Sequence, residues 1–242
     1  MGKTKIEWAD KVWNPVTGCA RVSEGCRNCY AEGIAKRFWG DRKFGDVVCH
    51  EDRLVQPLRW RKPQRIFVNS MGDLFHPDVP DLFIACVFEQ MWRCHNHTFM
   101  VLTKLPERMM KWPVMGRHGI TPNIWLGVSV EDQATWDERV PALLATPAAL
   151  HLVSLEPMLG PVDMMLDLQT KDEPYVEWVI CGCESGPKSR PMDPDWARSL
   201  RDQCDEAGTP FFLKQLQVDG KMIKMPELDG VIHSGRPQDS RD

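Results

Sequence analysis

The 242-residue chain lacks any apolar run near the roughly 18 residues a membrane-spanning helix needs. Its opening, MGKTKIEWADKVW, lacks the apolar core of a secretory signal. No membrane association is expected, and the expected location is cytoplasmic. Positive charge is not in excess: 30 Lys and Arg face 34 Asp and Glu, for a formal net charge of −4. That excludes a protein gripping nucleic acid through overall charge but leaves room for a local basic patch. Short repeats and low-complexity tracts are missing, so no solenoid is expected. Cysteine does not come in an even set either. Nine thiols in a reducing compartment read as metal ligands and core fillers, not as a disulfide framework.

What is present is a rhythm. Apolar, β-branched runs recur at KVWNPVTG (11–18), RIFVNSMGDLF (65–75), HTFMVLTKLP (97–106), NIWLGVSVED (123–132), LHLVSLEP (150–157), EWVICGCESG (177–186) and TPFFLKQ (209–215). Helical patterns lie between them at 29–39, 80–95, 105–112, 132–145 and 194–207, while 161–176 is irregular and acidic. Nearly continuous apolar strands alternating with helices predict an α/β fold whose parallel sheet is covered by helices. Seven units predict a complete or partial parallel (β/α) barrel, a single domain over 1–215. Residues 216–242 are expected to form a partly disordered C-terminal extension, its tail after 230 (VIHSGRPQDSRD) being polar.

Each strand is apolar where it begins and polar where it ends. Period-two parity places Asn69 and Asp73 on one face of their strand, Ser129 with Glu131, Ser154 with Glu156, and Gly182 with Glu184. Lys104 and Lys214 close two other strands and are expected to pair with these carboxylates or bind an anionic group. In parallel α/β folds ligands sit beyond the carboxyl ends of the strands, so these residues predict one polar site built from many strands. Helix capping is the plainer reading for Asp73, Ser129, Glu131 and Asp132, but Ser154-Leu155-Glu156-Pro157 precedes no helical pattern.

The segment GCARVSEGCRNCYAE (18–32) places Cys19, Cys26 and Cys29 between the first strand and the first helix. A structural zinc site needs four ligands, and Cys49 or His50 is the nearest fourth in sequence. Small core cysteines are a second reading, weakened by the clustering and by Gly18 and Gly25 just before two of the thiols. The third is a [4Fe–4S] cluster held by three thiolates with one iron open to S-adenosylmethionine (SAM). A metal-independent enzyme using the carboxylates for acid–base work, or to bind divalent cations, is a further class.

The words IEWADKVWNPVTGCARVSEGCRNCYAE, FVNSMGDLFHPDVP, FMVLTKLPERM, NIWLGVSVEDQ, LVSLEPMLGPVD, WVICGCESGPKSRPM and PFFLKQ resemble, in order, a family of phage and bacterial proteins of the radical SAM superfamily. This is the phage protein Gp37/Gp68 type, a domain family of unknown function. More distantly the chain looks like radical SAM enzymes such as the spore photoproduct lyases. It departs from the superfamily's usual Cys-x3-Cys-x2-Cys: the first gap is six residues, Asn28 precedes the last cysteine, and the aromatic, Tyr30, follows it. The resemblance implies a [4Fe–4S] cluster on the three cysteines, reductive cleavage of SAM to a 5′-deoxyadenosyl radical, and a low-potential electron donor of flavodoxin or ferredoxin type. It implies SAM contacts from Tyr30, from Asn69, Ser70, Gly72 and Asp73 after the second strand, and from Ser129, Glu131 and Ser154. Glu156, Glu184, Lys104 and Cys183 are then left for the chemistry, Cys183 as a thiol able to return a hydrogen atom to a substrate radical. The implied substrate is a (hyper)modified pyrimidine nucleotide of phage DNA, isomerised or otherwise rearranged in the cytoplasm of the phage's host. The alternative is a zinc-stabilised nucleic-acid-binding protein without catalysis.

The stretch RLVQPLRWRKPQR (53–65) interleaves Arg53, Arg59, Arg61, Lys62 and Arg65 with Trp60, a composition that can hold phosphates and stack a base. Its plainer reading is a solvated loop before the second strand. Trp112, Trp125, Trp136, Trp178 and Trp196 are expected to pack, and Cys86, Cys94 and Cys204 to be core.

Overall fold

The computed structural model describes residues 4–111, 119–164, 174–186 and 188–238. Trp112 and most of the acidic link at 161–176 lie outside them. The strands are β1 (Lys11–Trp13), β2 (Val16–Thr17), β3 (Val48–Cys49), β4 (Arg65–Val68), β5 (Thr98–Thr103), β6 (Ile124–Val130), β7 (His151–Leu155), β8 (Trp178–Gly182), β9 (Phe211–Val218), β10 (Lys221–Lys224), β11 (Glu227–Leu228) and β12 (Val231–Ile232). The helices are α1 (Tyr30–Phe38), α2 (Glu51–Leu54), α3 (Asp81–Arg93), α4 (Pro106–Lys111), α5 (Gln133–Leu144) and α6 (Pro194–Ala207).

One eight-stranded sheet runs in the order β1-β4-β5-β6-β7-β8-β9-β10, parallel from β1 to β9 and antiparallel only at β10. The sheet curls without pairing β1 to β10, so the barrel is partial and the single domain is a half-barrel. Local chemistry sets the helix ends. Asp132 accepts from Thr135 N (2.9 Å) in a capping box, and Asp193 caps α6, whose first residue is Pro194. α6 stops at Gly208, which adopts φ +69°.

Strand parity divides the interior in two. Ile66, Val68, Phe99, Val101, Leu126, Val128, Val153 and Val179 pack with α3, α5 and α6 on the convex side. Phe67, Met100, Leu102, Trp125, Leu152, Trp178, Ile180 and Phe212 fill the concave side. There Trp178 takes edge-on contacts from Trp8, Trp125 and Phe212 at 6.1–6.4 Å between ring centres. This aromatic plug occupies the middle of the half-barrel and leaves the carboxyl ends of the strands to polar residues.

Three features were not legible in the pattern. A two-stranded ladder of β2 and β3 closes the cysteine segment, with Val16 opposite Cys49. The domain boundary expected at 215 falls inside β9, which turns into the β10 hairpin. Residues 233–235, whose polarity suggested disorder, run beside the start of β9 instead. Leu213 N donates to His233 O (2.9 Å), Gly235 N to Phe211 O (2.9 Å), and Trp178 Nε1 to Gly235 O (3.0 Å). The tail thus covers an edge that would otherwise expose unpaired backbone groups.

Candidate active site at the carboxyl ends of the strands

The cysteine segment is fastened at its start by backbone. Gly18 adopts φ +100°, and a Cβ there would lie 2.5 Å from Asp46 O, so only glycine lets the chain pass. Gly18 N donates to Met71 O (2.9 Å) and Cys19 N to Phe44 O (3.0 Å). Asn14 Oδ1 accepts from Met71 N (3.2 Å) and Ser70 Oγ (3.3 Å), and Asn69 Oδ1 from Val16 N (3.1 Å). The loop bearing Cys19 and the turn 69–73 are therefore one backbone-bonded unit.

Further along, two buried carboxylates anchor the loop. Glu131 accepts from Ser23 Oγ (2.9 Å) and Arg139 (3.2 Å) and pairs with Lys104 Nζ. Its side chain presses on Gly25, where a Cβ would overlap it. Glu184 accepts from Asn28 Nδ2 (2.8 Å), Arg190 N (2.8 Å) and the Arg190 guanidinium (2.5 and 3.1 Å). Burial alone would raise its carboxyl, but the bonds from Arg190 and Asn28 outweigh burial and hold it below the usual range. Cys26, between these anchors, is buried, and Cys29 caps α1.

A cavity of about 560 Å³ opens over the aromatic plug. Cys19, Cys26, Cys29, Tyr30, Asn69, Ser70, Gly72, Asp73, Lys104, Ser129, Ser154, Glu156, Cys183 and Glu184 all border it, as does Lys214, which pairs with Glu156. Tyr30 leans across the wall and donates to Ser70 O (2.9 Å). Asp73 is turned inward: Thr103 Oγ1 lies 2.8 Å from both its oxygens, and Phe75 N (2.9 Å) and Lys104 N (3.0 Å) donate to it. Burial pushes the Asp73 carboxyl up.

Two expected residues sit differently. Glu131, read as a cofactor contact, is 1% exposed and does not border the cavity; it stands behind Lys104 as an anchor of the loop. Parity explains it: Glu131 shares a face with Ser129 but lies past the end of β6, where Arg139 of α5 reaches it. Cys183, at the rim, is 2% exposed and packs with Cys181 in the convex core. Burial raises its thiol to about 11. Residues the sequence did not single out are Ser23, Asn28, Arg139 and Arg190, all of them partners of the two anchoring carboxylates.

The donor set discriminates between metal groups. Zinc draws its ligands to about 2.0–2.3 Å of one centre. Among the described residues no three His, Cys, Asp or Glu side chains converge in that way. His50 Nε2 is 2.7 Å from Thr17 Oγ1, and neither His50 nor Cys49 borders the cavity. Three thiols sharing a wall, with no fourth ligand beside them among the described residues, fit a cubane that binds each thiolate to a different iron. Burial raises the Cys19 thiol to about 12, with Asp73, Cys26 and Cys29 acting the same way, so ligation there must release protons.

The basic stretch 53–65 begins beside the carboxyl end of β1, where Arg53 Nη1 donates to Asn14 O (3.1 Å), and then runs away from the cavity. Arg65 opens β4, and Trp60 sits beside Lys11, the first residue of β1, and His97, just before β5. That is the amino-terminal side of the sheet, opposite the cavity.

Fold and site together define a mostly parallel α/β half-barrel with its polar site at the strand ends. The family model described as "Protein of unknown function (DUF5131)" matches residues 3–237, and the chain belongs to that family. The description carries neither an activity nor the Gp37/Gp68 phage designation that the sequence words suggested. Among solved structures the fold is similar to "Spore photoproduct lyase complexed with dinucleoside spore photoproduct", with TM-score 0.53 and 11% identity over 89% of this chain and 79% of that one. A mutant spore photoproduct lyase gives TM-score 0.48 and 12% identity over 90% of this chain and 65% of that one. No curated protein matches the sequence.

Proposed function

We propose that this chain is a radical SAM enzyme acting on a nucleotide or nucleic-acid base, with Cys19, Cys26 and Cys29 as the ligands of a [4Fe–4S] cluster. One observation carries the reading: the three thiols and the polar ends of successive strands border a single cavity, and among the described residues no fourth ligand completes the thiol set. When bound, cluster and SAM supply one-electron cleavage of the sulfonium to a 5′-deoxyadenosyl radical, with the electron coming from a flavodoxin- or ferredoxin-type donor.

The chain's own residues then have distinct tasks. The turn 69–73, bonded to the cysteine loop through Gly18 and Asn14, offers backbone groups and the Ser70 hydroxyl to SAM. Ser129 and Ser154 would add hydroxyls from β6 and β7, and Tyr30, on the same cavity wall, would supply an aromatic face to the cofactor. Of the side chains expected to act on substrate, Lys104 and Glu184 are tied into the two anchors. Glu156, paired with Lys214 on the wall, is the group left to orient substrate or move a proton. Phe67 and Leu102 close the floor and exclude water from a reactive radical. The dinucleoside bound in the structure of similar fold supports a nucleic-acid substrate. A modified pyrimidine as the class and a rearrangement as the reaction type are what the sequence resemblance implies.

The test is incubation of anaerobic, iron-loaded protein with SAM and dithionite. 5′-Deoxyadenosine is expected from the wild type and not from Cys26→Ala. Deuterium from a labelled pyrimidine oligonucleotide is expected to appear in it. Iron-loaded, reduced protein that leaves SAM intact would overturn the reading.

A further inference from the structure

We infer that the exposed side of α1, with the loop edges flanking it, is a track for the phosphate backbone of a nucleic-acid strand whose target base enters the cavity. The inference rests on the reading of the cavity as a site acting on a nucleic-acid base, and it supplies the contact surface that reading lacks.

A second groove, of about 690 Å³, lies outside the cavity and shares Asn28, Cys29, Tyr30 and Ile34 with it, so the two are continuous. Its charged lining is Arg21, Arg27, Lys36, Arg37 and Lys188 against Glu32 alone. That is an excess of four positive charges on a chain whose formal net charge is −4. The charges are displayed: Arg27 and Lys36 are 68% and 73% exposed. Glu32 is already shared between Arg21 (2.7 Å) and Lys36 (3.0 Å), which leaves the groove's field positive.

An aromatic stands among the cations. Phe38 is 70% exposed, with the Arg37 guanidinium 5.4 Å from its ring centre. Cations tracking a backbone with an exposed ring between them are the elements of single-strand binding, in which the rings stack bases. An acidic protein would also meet the charge, but it needs neither an exposed ring nor a groove that runs into the reaction cavity. A base undergoing chemistry must leave its stack, and this groove gives the neighbouring phosphates a place beside the opening through which it would enter. Residues 57–65 of the basic stretch, at the other end of the sheet, cannot do this.

The test is fluorescence anisotropy of a labelled oligothymidylate of about twelve nucleotides with the iron-loaded protein, titrated across salt. Lys36→Ala/Arg37→Ala/Lys188→Ala is expected to weaken binding at least tenfold and to flatten the log–log salt slope by about 2, at about 0.7 per lost single-strand phosphate contact. Phe38→Ala is expected to weaken it about tenfold without changing the slope. Arg59→Ala/Arg61→Ala/Lys62→Ala, the control, should bind within about twofold of wild type. Equal binding by wild type and the α1 variants, or loss in the control instead, would overturn the inference. So would an α1 variant that keeps its oligonucleotide affinity and loses reduction by a flavodoxin, since the face would then belong to an acidic electron-transfer partner. SAM cleavage by the wild type is measured alongside. Its absence would sink the enzymatic reading, while the binding data would still judge the face.

Discussion

Gly25→Ala tests how the cysteine loop is held. A methyl group at Gly25 would overlap Cγ and Oε1 of Glu131. The carboxylate cannot simply swing aside: it is 1% exposed and bonded to Ser23, Arg139 and Lys104. Restoring van der Waals contact demands a shift of about an ångström in either the loop or the carboxylate. Overpacking of this kind costs about 1–3 kcal/mol, and loosening a buried ion cluster adds to it, so about 3 kcal/mol is expected. For a domain of this size that lowers Tm by about 6–12 °C. Thermal unfolding followed by circular dichroism reads the stability, and iron content after reconstitution reads the placement of Cys26. Glu131→Asp in the same chain shortens the side chain by one methylene and is expected to recover about half of the loss. A Gly25→Ala protein within about 2 °C of wild type with full iron, or a double variant no better than the single, would refute the clamp.

Other consequences follow from the second anchor and from the tail. Arg190→Ala removes the guanidinium that lowers the Glu184 carboxyl. Because that carboxyl is depressed in the folded state, its stabilisation exists above its unfolded value of about 4.3 and is lost as pH falls through the lower folded value. Arg190→Ala should therefore cost about 2 kcal/mol in urea midpoints at pH 7 and progressively less below about pH 4, whereas a pH-independent difference would contradict the assignment. Trp178→Phe keeps most of the aromatic packing and deletes the bond to Gly235 O, so about 1 kcal/mol of destabilisation is expected. Faster amide exchange at residues 233–235 should accompany it; unchanged exchange there would mean the tail is held by other contacts.

The strands and helices were legible because each apolar run is short, β-branched and followed by a helical period. Asp132 and the Asp193-Pro194 pair mark their helices as plainly as Gly208 ends one. The gathering of Ser129, Ser154, Glu156 and Glu184 at one end followed from period two and parallel strands. What parity could not tell was which carboxylates face the cavity. Glu131 and Glu184 both end strands, but their partners, Arg139 and Ser23 for one and Arg190 and Asn28 for the other, come from segments between 6 and 156 residues away. Only the assembled fold assigns those bonds. For the basic stretch 53–65, composition shows charge but not that residues 57–65 lie at the amino-terminal side of the sheet. The tail's polarity suggested disorder because a lone chain running beside a strand edge uses backbone bonds, which leave little trace in side-chain pattern.

The central claim is that three thiols, with no fourth protein ligand among the described residues, hold a cluster. Metal and sulfide analysis of anaerobically prepared protein addresses it most directly. About four irons and four sulfides per chain are predicted, with the brown colour and the iron lost in Cys26→Ala. A colourless protein carrying one zinc and no iron would contradict the account.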